Sequence, residues 1–230
     1  MGLVGPVEIT DKEIEKYSMQ LRKLSNSAQY AKAYKLAAEL KKNYPKVLFF
    51  AYYEAVMTAE DNVNFTQSQI DKRYKLAAQK FRKLLYKTRW AEPRLRKSIK
   101  NEYYWFSMQH YKQYLLGVKE VKAKAFRGGY YSQGVGAAML SKKYAFAGKK
   151  KLAVKWAEKS EKCWLKFFAI DPKWFNAYSF YARSLGYQNR LVECDKALAK
   201  AARIAKRPKN WNAIKKYKKD IMLVHHALYG

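Results

Sequence analysis

The sequence predicts an all-α protein of about ten helices, arranged as stacked antiparallel helical hairpins in an α-solenoid. Three observations support this prediction. Glycine and proline are scarce, at 10 and 5 of 230 residues, while alanine, lysine, leucine and tyrosine are abundant, and that composition favours helices over strands. Apolar residues recur every three or four positions along most of the chain. Prolines stand between pairs of helical segments, where a proline ends one helix and sets the turn into the next.

The first helix has the clearest start signal. Thr10 is placed to cap it, and Glu13 is placed to bond back to the cap in a capping box. Tyr17 and Leu21 then follow at helical spacing. Later segments show the same periodicity, and the pentapeptide YKLAA occurs in two of them, at 34–38 and 74–78. The predicted helices cover residues 11–24, 28–44, 46–59, 70–88, 94–126, 137–150, 152–170, 174–187, 190–206 and 210–230.

The segment RGGYYSQGVG, residues 127–136, interrupts this pattern. Its glycines do not easily continue a helix, so we expect a loop and a hinge there. The chain is then a single helical-repeat domain, 1–230, with an irregular N-terminal half (1–126) and a more regular C-terminal half (137–230).

The C-terminal half contains matched residues 34 positions apart. Small residues recur where helices cross closely, and large residues recur where they fill gaps. The matched pairs are Tyr144 and Tyr178, Gly148 and Ala182, Ser160 and Cys194, and Trp164 and Leu198. With Pro172 between the units, residues 139–208 resemble the tetratricopeptide-repeat (TPR) family. The resemblance implies a concave surface that binds a protein or peptide, and it implies no chemistry.

The formal net charge of +30 implies an acidic partner. Nucleic acid is the commonest such partner; an anionic membrane surface and an acidic protein are the alternatives. Lysine far outnumbers arginine, which favours attraction to DNA or RNA backbones over sequence recognition. Tyr130 and Tyr131, in the predicted loop, are the best candidates for stacking on bases. The candidate binding cations are Arg94, Arg96, Lys97, Lys149, Lys150, Lys151, Lys206, Arg207, Lys209, Lys215, Lys216, Lys218 and Lys219.

No catalytic, cofactor or metal site is predicted. His110 lies among aromatic residues, where packing is the expected role, and the adjacent His225 and His226 point about 100° apart on a helix. No HExxH, CxxC or Walker motif occurs. Cys163 and Cys194 fall at helix-packing positions. The N-terminus lacks a signal-peptide pattern and no apolar run approaches the length of a membrane span, so we expect a soluble protein, intracellular or within a virus particle.

These observations together predict a non-enzymatic structural or adaptor protein of a larger assembly. Its helical body is expected to contact protein neighbours or further copies of itself, and its basic surface to face nucleic acid, as in a ribonucleoprotein or a virus particle. Two alternatives stay open: a free-standing nucleic-acid-binding regulator without sequence specificity, and an adaptor for an acidic protein or an anionic membrane surface.

Overall fold

The structure is a computed structural model that describes residues 9–60, 66–87, 93–205 and 208–230. Within these ranges it contains eleven helices and no strand, which confirms the all-α prediction. The helices are α1 (Asp11–Asn26), α2 (Tyr30–Asn43), α3 (Leu48–Glu60), α4 (Gln67–Lys87), α5 (Pro93–Phe106), α6 (His110–Lys122), α7 (Phe126–Phe146), α8 (Lys150–Phe168), α9 (Phe175–Gly186), α10 (Leu191–Ile204) and α11 (Pro208–Tyr229).

The predicted capping box at the start of α1 is confirmed. The Thr10 hydroxyl accepts from the Glu13 backbone N–H at 3.3 Å, and the Glu13 carboxylate accepts from the Thr10 N–H at 2.9 Å. The hydrogen bonds from Thr10 hold the pKa of the Glu13 carboxyl below its usual value. Asp11 adds a second acid to the first turn, where negative charge complements the helix dipole.

Five of the turns that the structure describes between consecutive helices share one backbone feature. One residue of each such turn has a left-handed backbone conformation. The next backbone N–H can then close the preceding helix, as when Lys149 donates to the Tyr144 carbonyl at 2.9 Å. The left-handed residues are Ala28 (φ 58°), Met108 (φ 55°), Lys124 (φ 57°), Gly148 (φ 68°) and Asn189 (φ 63°).

This turn corrects the predicted long helix over 94–126, which is two helices, α5 and α6. The break falls at Met108, in a stretch without glycine or proline, so no residue that usually ends a helix marks it. The chain also divides into two compact units at this point, unit 1 (Met1–Ser107) and unit 2 (Met108–Gly230). This boundary lies before residues 127–136, the segment in which the sequence predicts a hinge.

The predicted loop at 127–136 is wrong, because these residues lie inside the continuous helix α7. Its glycines allow close helix packing. A Cβ on Gly129 would lie 2.9 Å from the Gly117 carbonyl oxygen of α6, and one on Gly134 would lie 2.6 Å from Trp164 of α8. Any larger residue at these positions would push α6 or α8 away from α7.

The spacing of alternate helices is longer than the 34-residue offset seen in the sequence. Helices α2, α4, α6, α8 and α10 begin 37 to 43 residues apart, at Tyr30, Gln67, His110, Lys150 and Leu191. Gly148 lies in the turn before α8, whereas Ala182, 34 residues later, lies inside α9. The structural counterpart of Gly148 is the turn residue Asn189. Membership of the TPR family stays a prediction.

In unit 2, the last helix is held by apolar burial and by a buried ionic cluster. Ile221 and Val224 are fully buried, whereas Trp211 of the same helix is 46% exposed. Asp220 of α11 pairs with Lys142 of α7 and, at 3.0 Å, with Arg183 of α9. The Tyr187 hydroxyl donates to the same carboxylate at 3.0 Å. The Arg183 guanidinium also lies over the Phe180 and Tyr217 rings, at 4.9 and 4.3 Å.

Candidate nucleic-acid interface

The outer side of α8 in unit 2 carries a row of lysines. They recur at intervals of four, four, three and four residues, so they lie within an arc of roughly 80° and extend over about 22 Å of helix. Four of them are exposed and Lys159 is half-buried. The opposite side of α8 contains buried Ala157, Ser160 and Trp164. The row consists of Lys151, Lys155, Lys159, Lys162 and Lys166.

Helices α6 and α10 contact α8 on two different sides. The Trp156 ring of α8 lies 5.2 Å from the Tyr114 ring of α6, and Glu161 of α8 pairs at 2.8 Å with Arg190, which caps α10. Trp156 and Glu161 are five residues apart, so their side chains leave α8 about 140° apart. The buried side of α8 lies between these two contacts, which leaves the lysine row outermost.

Helices α6 and α10 add further exposed cations to this surface. We call it the lysine face: Lys112, Lys119 and Lys122 of α6, the five α8 lysines, and Lys196, Lys200 and Arg203 of α10. The Trp156–Tyr114 and Arg190–Glu161 contacts join α6 and α10 to α8 through side chains, so the cations of all three helices lie near one another.

The acids near the lysine face are mostly neutralised by other groups. Arg190 pairs with Glu161 at 2.8 Å and with Glu193 at 2.5 Å. The Arg190 hydrogen bond holds the pKa of Glu193 below its usual value. Asp195 lies 3.8 Å from Lys218. By contrast, none of the five α8 lysines forms an ion pair with any residue that the structure describes. Glu158 of α8 is an exception, because it is exposed and lies beside the row. The lysine face therefore carries a large excess of positive charge.

Other basic residues are occupied by internal contacts. In unit 1, Lys41 and Lys80 pair with buried Glu54 at 2.9 and 2.5 Å. Burial raises the pKa of Glu54, but the hydrogen bonds and charges of Lys80 and Lys41 outweigh it, so its carboxyl stays ionised at neutral pH. In unit 2, Arg127 pairs with Asp171 at 2.6 Å. The sequence does not distinguish these structural cations from the exposed ones.

The predicted cluster at residues 149–151 is exposed at the start of α8. Lys149 caps the helix, and Lys151 is the first lysine of the α8 row. The Lys150 ammonium lies 4.2 Å from the centre of the Tyr229 ring, at the end of α11.

The remaining predicted cations lie on other helices. Lys218 of α11 lies 3.8 Å from Asp195 of α10. The α11 cluster is exposed and consists of Lys215, Lys216, Lys218 and Lys219. Arg96 and Lys97 belong to α5 in unit 1. Lys206 and Arg207, and the side chains of Arg94 and Lys209, lie outside the described residues.

Tyr130 and Tyr131 do not lie in a loop, because both belong to α7. The Tyr131 ring lies 5.7 Å from Trp164 and 6.1 Å from Phe167, so it is part of the packing of unit 2. Tyr130 stacks against Phe126, with ring centres 6.2 Å apart, at the edge of the lysine face. The loop that motivated both candidates is absent, and only Tyr130 borders the candidate interface.

Sequence reasoning missed most of the α8 row. It selected residues that are adjacent in sequence, such as 149–151, whereas residues that share a helix face are three or four positions apart. The signal was present as lysines at 151, 155, 159, 162 and 166.

The histidines and cysteines show no arrangement for chemistry. His110 is buried, and burial lowers its pKa to about 4, so it adds no charge at neutral pH. Cys163 and Cys194 are buried free thiols, as expected for packing residues, and burial raises the pKa of each to about 11. Across the described residues, no group of three His, Cys, Asp or Glu side chains could hold a metal ion.

Among the described helices, none is both long and apolar enough to cross a membrane. No protein-family model, curated protein or solved structure matches the chain.

Proposed function

We propose that the protein is a non-enzymatic scaffold of a larger assembly whose lysine face binds nucleic acid through the phosphate backbone, without sequence specificity. The observation that supports this proposal is the row of five lysines on the outer side of α8. None of the five forms an ion pair with a residue that the structure describes, and exposed cations on α6 and α10 add to their charge.

Lysine is suited to this mode of binding. Its ammonium is a mobile point charge that contacts a phosphate without fixing the orientation of the base. Binding releases the counterions condensed on the nucleic acid, and the affinity falls steeply as salt rises. The lysine face has one arginine, Arg203, among eleven cations, and arginine is the residue that most often recognises guanine.

The other half of the proposal concerns protein contacts. The described helices leave several large apolar side chains in solvent, among them Phe146 (58% exposed) and Leu223 (64%). Large side chains of this kind are enriched in the centres of protein interfaces. Both features suit a ribonucleoprotein or a virus particle. In such an assembly the scaffold contacts nucleic acid and also protein neighbours or copies of itself.

The proposal is tested by binding of the purified full chain to labelled duplex DNA, single-stranded DNA and RNA across a salt series. An acidic protein and phosphatidylserine vesicles serve as competing polyanions. We expect nucleic acid to bind more tightly than either competitor, with a steep negative salt dependence and little difference between sequences. Equal or tighter binding of the acidic protein or of the vesicles at physiological salt would overturn the proposal.

A further inference from the structure

Two pairs of aromatic rings lie at the lysine face, each beside a lysine of the α8 row. The first pair joins α6 to α8. Tyr111 is 54% exposed, and its ring meets Trp156 at 87° with ring centres 6.3 Å apart. Tyr114 contacts the same indole at 86° and 5.2 Å, which holds Trp156 in place. The Lys159 ammonium lies 4.3 Å from the centre of the Trp156 ring.

The second pair lies near the C-terminal end of the row, beside Lys166. Phe126 is 45% exposed and stacks on Tyr130 at an interplanar angle of 19°. The Lys166 ammonium lies 5.7 Å from the centre of the Tyr130 ring. Lys159 and Lys166 are seven residues apart, which is about 10.5 Å along α8. A ring pair with an adjacent ammonium therefore occurs twice along the same row.

From this arrangement we propose that the lysine face binds single-stranded nucleic acid, with unpaired bases stacking on Tyr111 and on the Phe126–Tyr130 pair while the α8 lysines contact the phosphates. This inference rests on the proposed function and specifies its ligand. Proteins that bind single strands without sequence preference combine a positive groove with aromatic rings in this way, because every base has a face on which a ring can stack.

The rings explain why a single strand is favoured over a duplex. In a duplex the bases are stacked on one another, so Tyr111 and Phe126 gain no partner and only the lysines contribute. In a single strand the bases are available, and each base stacked on an aromatic ring adds to the affinity. The positive charge surrounding the rings also favours a ligand that combines flat apolar groups with phosphates.

The experiment compares wild type with Tyr111→Leu and Phe126→Leu in the full chain. Leucine keeps apolar surface and helix propensity and removes the ring. Probes are labelled oligo(dT), oligo(U) and a duplex of equal length, measured at one salt concentration. Tyr86→Leu is the matched control, because Tyr86 is 73% exposed on α4 in unit 1. Circular dichroism checks that each variant is folded.

We expect wild type to bind both single strands more tightly than the duplex. Tyr111→Leu and Phe126→Leu should each lower single-strand affinity about tenfold and leave duplex affinity unchanged. Each loss of single-strand affinity should be larger than the loss caused by Tyr86→Leu. Because the two ring pairs are separate, Phe126→Leu tests the claim even if Tyr111→Leu disturbs Trp156.

Two outcomes separate this inference from the proposed function. If single strands and duplex bind equally and neither ring substitution lowers the affinity, the inference is overturned while backbone binding by the lysine face stands. If no nucleic acid binds better than the acidic protein, both are overturned.

Discussion

The buried ionic cluster around Asp220 provides a quantitative prediction for unit 2. In Asp220→Asn the carboxylate that balances Lys142 and Arg183 is lost, and the Tyr187 hydroxyl loses a charged acceptor. Arg183 has a side chain that is 6% exposed and Lys142 one that is 30% exposed. Removing one partner of a buried ion pair costs about 3–5 kcal/mol because an uncompensated charge remains. Since Lys142 reaches solvent, we expect a loss of about 3 kcal/mol in the free energy of unfolding.

The same cluster predicts how stability depends on pH. Burial raises the pKa of Asp220, but the charges of Arg183 and Lys142 and the hydrogen bonds from Lys142 and Tyr187 outweigh it, so its pKa lies below the ordinary value of 3.8. A carboxyl with a depressed pKa stabilises the folded state above its unfolded pKa. That contribution is lost as the pH falls below 3.8 through the folded pKa, and Asp220→Asn should lack this part of the pH dependence.

Urea unfolding followed by tryptophan fluorescence measures the effect, because four of the six tryptophans lie in unit 2. Asp195→Asn is the matched control. Its partner Lys218 is 3.8 Å away and both side chains are about two-thirds exposed, so we expect a change within about 0.5 kcal/mol. If Asp220→Asn were as stable as Asp195→Asn, the reasoning about the cluster would be refuted.

Two further predictions concern buried residues of unit 2. Gly134→Ala should destabilise the protein by about 1–3 kcal/mol in urea unfolding, because the new Cβ would lie 2.6 Å from the Trp164 ring. A stabilised variant would show instead that the higher helix propensity of alanine outweighs this close contact. Burial raises the pKa of Cys163 and Cys194 to about 11. Both thiols should therefore react with Ellman's reagent slowly at pH 8 in the folded protein and rapidly in urea. Rapid reaction of the folded protein would contradict their burial.

Local signals in the sequence predicted local structure well. The Thr10–Glu13 capping box depends on neighbouring residues, and the structure confirms it. The helices at or after Pro45, Pro93, Pro172 and Pro208 begin within two residues of their predicted starts. The turn at Met108 was missed because its left-handed residue has a side chain, whereas the expected signal is glycine.

Features that depend on tertiary contacts were not predictable in the same way. The glycines at 129 and 134 are explained by the helices α6 and α8 that press against them, and a single sequence does not show those neighbours. The α8 lysine row was present as a periodic pattern, but its importance depends on which lysines are paired with acids. The pairing of Lys80 with Glu54, 26 residues away, is visible only in the structure.

The central claim is that the lysine face, and not net charge alone, binds nucleic acid. The most direct test compares Lys151→Gln/Lys155→Gln/Lys162→Gln with Lys12→Gln/Lys16→Gln/Lys23→Gln on α1. Each triple variant removes three of the exposed lysines, so both lower the formal net charge of +30 by the same amount.

The measured quantity is the slope of log affinity against log salt for a single-stranded oligonucleotide. Each lysine–phosphate contact contributes about 0.7 to that slope. We expect the α8 variant to bind more weakly, with a slope reduced by about 2, while the α1 variant stays close to wild type. Equal losses in the two variants would show that binding follows total charge and would contradict the assignment of the lysine face.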